Sequence, residues 1–237
     1  MSPEPASKKP PPLLKALSAF LKTFFHLLYG QFAWTYDWVA AIVSLGRWNS
    51  WVKAVLPYLP GPKVLELGHG PGHLQVALNR AGFVSFGMDA SKQMGRLAQS
   101  NIRKAGIVPL LVNGYAQSMP FPDASLNQVV ATFPTEYIFD PATVKEVYRI
   151  LLPGGRLVVL LVAWITGRGL LERAAAWLFR VTKQAPPETP GSTAQSELRD
   201  ALAARLVARL ESTGFQTKVE FVELRSSILM IILGDKV

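Results

Sequence analysis

The chain reads as an α/β protein, a doubly wound and mostly parallel sheet with a C-terminal antiparallel hairpin, plus an N-terminal helical extension. Three observations carry that reading. From Lys63 to Trp164 short apolar runs alternate with segments of helical period, the rhythm of a parallel sheet with helices on both faces. Leu157 to Trp164 is apolar throughout, as a strand covered on both sides must be. The closing stretch FQTKVEFVELRSSILMIIL holds two strand-like runs around Arg225-Ser226-Ser227, which suits an antiparallel pair at the edge of such a sheet.

Taken in order, residues 1–12 are Pro-rich and polar and read as a disordered leader. Residues 13–60 are dense in Leu, Phe and Trp but broken by Lys15, Lys22, His26 and Asp37, and their longest stretch free of Lys, Arg, Asp and Glu runs only from Thr23 to Tyr36. That falls short of the ~20 apolar residues of a spanning helix, so the segment is expected to form helices lying on the domain or on a membrane surface. The domain proper is expected over 61–237. VLEL (64–67) is its first strand, followed by a glycine loop and a helix placing Leu74, Ala77 and Leu78 on one face, with Gly82 beyond its end.

FVSFGMD (83–89) is a second strand, and Ser91 is placed to cap a helix carrying Met94, Leu97 and Ala98 that closes at Gly106. IVPLLVN (107–113) is a third strand whose Pro109 argues for a sheet edge, where a missing N–H is tolerated. LNQVVATF (126–133) is a fourth. Asp140-Pro141 opens the next helix as cap and first residue, and Pro153-Gly154-Gly155 turns the chain into the strand 156–164. A helical insertion is expected over about 165–192, including the basic amphipathic stretch 169–183, and Leu198, Leu202, Leu206 and Leu210 mark a last helix.

Composition narrows the chemistry. Among 237 residues there is no cysteine, which excludes disulfides, thiol nucleophiles and thiolate metal sites, and only three histidines, so no metal centre is expected. The missing cysteines fit a reducing, cytoplasmic setting, with peripheral membrane contact open to residues 13–60. The net charge of +9 is spread along the chain without a run of five basic residues, which gives a nucleic-acid partner little support.

The informative stretch is Val64-Leu65-Glu66-Leu67-Gly68-His69-Gly70-Pro71-Gly72-His73-Leu74. A strand ends, three glycines alternate, and a helix begins, so backbone amides at the helix start can face a ligand with no Cβ in the way. Asp89 ends the second strand, where a carboxylate can accept from both hydroxyls of a ribose. The dinucleotide pattern G-x-G-x-x-G does not fit, because the third glycine is one place early and position 73 is His. Glu66 would repel a pyrophosphate but attract a ligand bearing an ammonium and a sulfonium. S-adenosylmethionine is therefore favoured over NAD or FAD.

The E-x-G-x-G-x-G run at Glu66 to Gly72, GMDAS (87–91), NGYAQSMPFPDASLNQVVATF (113–133) and EVYRILLPGGRLVVL (146–160) resemble, in that order, the class I S-adenosylmethionine-dependent methyltransferases. The similarity is to the small-molecule and quinone/lipid group (methyltransferase type 11-like), whose fold is Rossmann-like. It covers about 63–163, and YDWVA (36–40) is similar to a segment that precedes the glycine loop there. The resemblance implies S-adenosyl-L-methionine as cofactor. It implies Gly68, His69, Gly70 and Gly72 around the methionine end, Glu66 acting through the amino group and Tyr36 over the carboxylate. It further implies Asp89 on the ribose, Ala90, Ala116 and Gln117 at the adenine, and Phe133 near the transferred methyl. Tyr115 stands where the family usually has an acid, Gln117 replaces a frequent Glu, and Asn127 replaces a common Asp.

The expected activity is methyl transfer to a small hydrophobic acceptor, such as a quinone precursor or lipid, by in-line displacement. Holding the acceptor in line with an already activated methyl is most of the work. Glu136 and Tyr137 follow the fourth strand and are candidates for acid–base duty. A reading of another class is a catalytically silent protein of this fold that binds a membrane surface or partner through its N-terminal helices.

Overall fold

A computed structural model describes residues 47–165 and 193–237. The expected leader, the helices before Arg47, Tyr36 and the amphipathic stretch 169–183 lie outside the described residues. Among the described residues, no helix is long and apolar enough to cross a membrane.

The elements follow the expected alternation: α1 (Trp48–Lys53), β1 (Lys63–Leu67), α2 (His73–Arg80), β2 (Val84–Asp89), α3 (Lys92–Lys104), β3 (Leu111–Asn113), β4 (Leu126–Thr132), α4 (Pro141–Ile150), β5 (Leu151–Ile165), α5 (Thr193–Glu211), β6 (Phe215–Leu224) and β7 (Ser227–Lys236). The seven strands form one sheet in the order β3-β2-β1-β4-β5-β7-β6. Strands β1 to β5 pair in parallel, while β7 runs antiparallel to both β5 and β6. This is the Rossmann-like fold class with its C-terminal antiparallel pair. The strand order reverses between β1 and β4, the place where open α/β sheets leave a crevice at the carboxyl ends of their strands.

Side-chain alternation sorts the core into two layers. Leu65 and Leu67 of β1, Val129 and Ala131 of β4 and Leu157 and Val159 of β5 pack on one face with Val144 and Val147 of α4 and Leu206 and Leu210 of α5. Val64, Val130, Val158 and Leu160 pack on the other face with Trp51 and Val52 of α1 and Leu74 and Leu78 of α2. Glu66 lies between Leu65 and Leu67 in sequence, so it belongs to the α1–α2 face, and burial leaves it 2% exposed.

Local signals act as their chemistry requires. The Ser91 side chain accepts from Met94 N and starts α3, and Asp140 Oδ1 accepts from Ala142 N at the head of α4, with Pro141 at its first position. β3 is the sheet edge, but it begins only at Leu111, because Pro109 offers no N–H for a ladder. Pro153-Gly154-Gly155 departs from expectation. α4 ends at Ile150, Leu151 already pairs with Leu126, and the register then jumps to Gln128↔Arg156. The three residues are thus a bulge inside β5, not a turn before it, with Gly154 supplying its left-handed backbone at φ 73°.

Gly72, the residue before α2, is at φ 85°, and a Cβ there would sit 3.0 Å from Ala98 Cβ and 3.2 Å from Ala98 Cα on α3. Gly95 lies inside α3 with nothing within 4 Å of a Cβ. Gly72→Ala is therefore expected to cost about 1–3 kcal/mol from left-handed strain and helix displacement. Gly95→Ala should stabilise by about 0.5–1 kcal/mol. Urea unfolding of the two variants beside the parent checks both signs.

Candidate active site

The site is assembled at the β1/β4 reversal from the glycine loop after β1, the acid closing β2 and the segment following β4. Gly68, Gly70 and Gly72 all have positive φ, at 70°, 51° and 85°. Gly68 N donates to Met88 O at 2.8 Å, Gly72 N donates to His69 O at 3.0 Å, and Asn101 Nδ2 donates to Pro71 O at 3.0 Å. The decisive tie is Asp89. Its Oδ2 accepts from Gly70 N at 2.9 Å while Oδ1 accepts from Ser91 N at 2.8 Å. Each carboxylate oxygen keeps a further lone-pair site, so Asp89 shapes the loop and retains acceptor capacity for hydroxyls. Asn113 Nδ2 donates to Asp89 O at 2.8 Å and Ala90 O at 3.0 Å, fixing the corner that presents Asp89 and Ala90.

Beneath the loop lies a buried polar chain. Asn79 Nδ2 donates to Ser85 Oγ at 2.7 Å, Ser85 Oγ donates to Gln75 Oε1 at 2.8 Å, and Gln75 Nε2 donates to Glu66 Oε2 at 2.8 Å. Gln75 is 1% exposed. Burial pushes the Glu66 carboxyl up to about 8, with the Asp89 charge adding to the rise and the Gln75 hydrogen bond opposing it. No cationic side chain among the described residues contributes. His69, 4% exposed, is held below its ordinary value by burial, with Asp89 pulling the other way. Its Nδ1 meets Gly70 O at 2.8 Å, so Nδ1 carries the proton, since a carbonyl can only accept.

On the β4 side, the Tyr137 hydroxyl donates to Leu67 O at 3.1 Å, and the Tyr137 hydroxyl oxygen lies 2.8 Å from where a Gly68 Cβ would be. Burial, then the charges of Asp89 and Glu66, raise the Tyr137 phenol above its usual range, so it is a protonated donor that closes over the loop. Glu136 is exposed on the same 3-10 turn. Phe133 is held at φ 50°, strained for a bulky residue, with its N–H donating to Leu160 O at 2.8 Å. Its ring lies 4.8 Å from Trp48 and 6.0 Å from Trp51, centroid to centroid.

An open pocket is lined by Trp48, Glu66, Gly68, His69, Gly70 and Thr132 among others. The structure thus brings Glu66, the glycine loop and His69 together in one pocket, with Asp89 bound to the loop behind it. Ala116 packs partly buried against the first core layer. Gln117 Nε2 donates to Asp140 Oδ2 at 3.0 Å, engaged with the head of α4, and the neighbouring Tyr115 is 71% exposed. Asn127 Oδ1 accepts from Lys63 N at 3.2 Å, a strand-start contact. Sequence reasoning passed over Gln75 and Asn113. Gln75 carried one signal, a polar residue on the apolar face of α2.

Residues 65–159 match the family model described as "Methyltransferase domain". The chain is 30% identical over 143 residues to a demethylmenaquinone methyltransferase of Anoxybacillus flavithermus, covering 57% of this chain and 60% of that one. It is 37% identical over 128 residues to a demethylmenaquinone methyltransferase of Mycolicibacterium paratuberculosis, covering 52% and 53%. The chain therefore spans little more than half the length of the curated relatives it matches. In fold it is similar to magnesium protoporphyrin IX methyltransferase from Synechocystis, solved with SAH bound, at a TM-score of 0.52 and 16% identity over 80% of this chain and 83% of that one.

The Glu66 carboxyl makes stability pH-dependent. The unfolded chain releases this proton near 4.5, whereas the folded site keeps it to about 8. Its contribution is full below the lower value and is lost as pH rises through the upper one. Glu66→Gln, which keeps the shape without the proton, is expected to flatten that loss. Unfolding free energies at pH 5 and pH 8.5 should separate parent and variant by more than about 1.4 kcal/mol between the two conditions.

Proposed function

We propose that the protein, whose residues 65–159 match a methyltransferase domain, is a class I S-adenosylmethionine-dependent methyltransferase that methylates a small, hydrophobic, quinone-type acceptor. The observation that carries the reading is a buried carboxyl, Glu66, set beneath three positive-φ glycines without a cationic partner among the described residues. That is a place prepared for a ligand's positive charge. The pocket lining supports the same sign: among the described residues it includes Glu66 and no Lys or Arg, although the chain carries a net charge of +9.

S-adenosylmethionine, when bound, supplies a methyl already activated on sulfur. The residues then have tasks of holding and exclusion. Glu66 takes the ammonium, Gly68 and Gly70 let the backbone approach the methionine portion, and Asp89 accepts from the ribose hydroxyls with the lone pairs its loop contacts leave. Because Glu66 holds its own proton to about pH 8 when the pocket is empty, ammonium entry near neutrality expels that proton. Tyr137 stays a donor and closes the loop from the β4 side. Its role is positional, since a phenol raised above its usual range is a poor base at neutral pH.

The hydrophobic acceptor is supported by the names of the relatives, which are demethylmenaquinone methyltransferases, and by Trp48, which lines the pocket with its ring packed on Phe133. The tryptophan-rich sequence of residues 13–60 supports delivery of such an acceptor from a membrane surface.

Calorimetry with S-adenosylmethionine and S-adenosylhomocysteine, followed by a transfer screen over quinols, phenols, lipids and amines, tests the proposal. Binding of both nucleosides and methyl transfer to a quinol are the expected results. Absence of binding would leave the non-catalytic reading standing, and transfer confined to amines would remove the quinone acceptor. Asp89→Ala is expected to weaken nucleoside binding by about 1–3 kcal/mol. Binding to the parent near pH 7 should also release close to one proton, seen as a dependence of heat on buffer ionisation enthalpy, and Glu66→Gln should abolish it.

A further inference from the structure

The pocket has an aromatic wall supplied from outside the glycine loop. Trp48 opens α1, borders the pocket beside Glu66, Gly68 and Thr132, and is half-buried. Val52, one turn later on the same helical face, lines the pocket with it. Trp51 is the buried anchor of this helix at 5% exposed, packing in the α1–α2 core layer. Holding α1 on the sheet therefore does not require an indole at position 48. Yet the Trp48 ring is pinned, 4.8 Å from Phe133 and tilted 33° to it. Phe133 in turn sits in a strained left-handed conformation held by its N–H bond to Leu160 O. Strain of this kind persists only where the surroundings over-determine it.

An indole face attracts a cation through its quadrupole, and the attraction grows when the site is shielded from water. Glu66 lines the same pocket as Trp48, so the carboxyl and the indole both favour a positively charged ligand. Building on the methyl-transfer reading, we propose that Trp48 is a specificity-determining residue. Its indole recognises the sulfonium of the methyl donor and so distinguishes the charged donor from the neutral thioether left after transfer. Phe133 and Trp51 act through Trp48, as positioning residues that fix the ring. The consequence is easier exchange of spent nucleoside for fresh donor, because only the donor gains the aromatic contact.

The test is a ratio. Dissociation constants for S-adenosylmethionine and S-adenosylhomocysteine are measured by calorimetry on the full chain, on Trp48→Leu and on Trp48→Phe. Trp48→Leu is expected to lower donor affinity roughly three- to thirtyfold while the constant for S-adenosylhomocysteine stays within about twofold, and Trp48→Phe should recover most of the loss. Incorporating mono-, di- and trifluorotryptophan keeps the ring shape while draining its quadrupole, so it should lower the ratio stepwise even if the leucine variant folds poorly. Equal weakening of both ligands, or a ratio unmoved by fluorination, would make Trp48 mere packing and overturn the proposal while leaving the methyl-transfer reading intact. A parent chain that binds neither nucleoside would instead take down that reading, and this proposal with it.

Discussion

The bond from Gly70 N–H to the Asp89 carboxylate is the constraint on which the site depends. It joins the loop after β1 to the end of the neighbouring strand β2, and it forms only if the loop backbone turns through left-handed conformations at Gly68, Gly70 and Gly72. A charge-assisted acceptor on a backbone amide is among the stronger hydrogen bonds available to a loop. Ser91 N on the other oxygen and Asn113 on the Asp89 carbonyl hold the acid from its own side. The loop is thus shaped before any ligand arrives, and ordering cost is paid in folding instead of binding.

With the loop in place, electrostatics follow from depth. Glu66 sits on a central strand under α2, where desolvation outweighs the single neutral hydrogen bond from Gln75. A buried carboxyl without a counter-ion among the described residues holds its proton. The chain Asn79–Ser85–Gln75 leaves Gln75 little freedom to turn, so the carboxyl is aimed as well as poised. His69, kept neutral by burial, adds no opposing positive charge to the pocket.

The β4 side contributes shape. Where β4 ends, the chain bends through Phe133 and places Tyr137 over Gly68, and the Phe133 ring meets Trp48 and Trp51 of α1. The helix preceding β1 therefore joins the strand-end loops in one wall. In the α/β scheme this is the crevice at the strand reversal, narrowed by an aromatic helix from outside the sheet.

Much of this was legible in the amino-acid sequence because its causes are local. Alternating runs of apolar residues specify strands and helices by period, Ser91 and Asp140 cap helices within a few residues of themselves, and the glycine spacing after β1 specifies a loop of left-handed turns that Asp89 can tie down. Other features were settled only by tertiary structure, because each depends on a partner distant in sequence. Pro153-Gly154-Gly155 became a bulge when Leu151 found Leu126 on β4. Gln117 turned to the head of α4 once Asp140 came within reach. Trp48 became a pocket wall because α1 packs beside the loop and Phe133 lies 4.8 Å from its ring. Periodicity and capping are short-range energies that a sequence carries in itself, whereas the aim of a side chain is decided by whichever distant neighbour best satisfies it once the chain has closed.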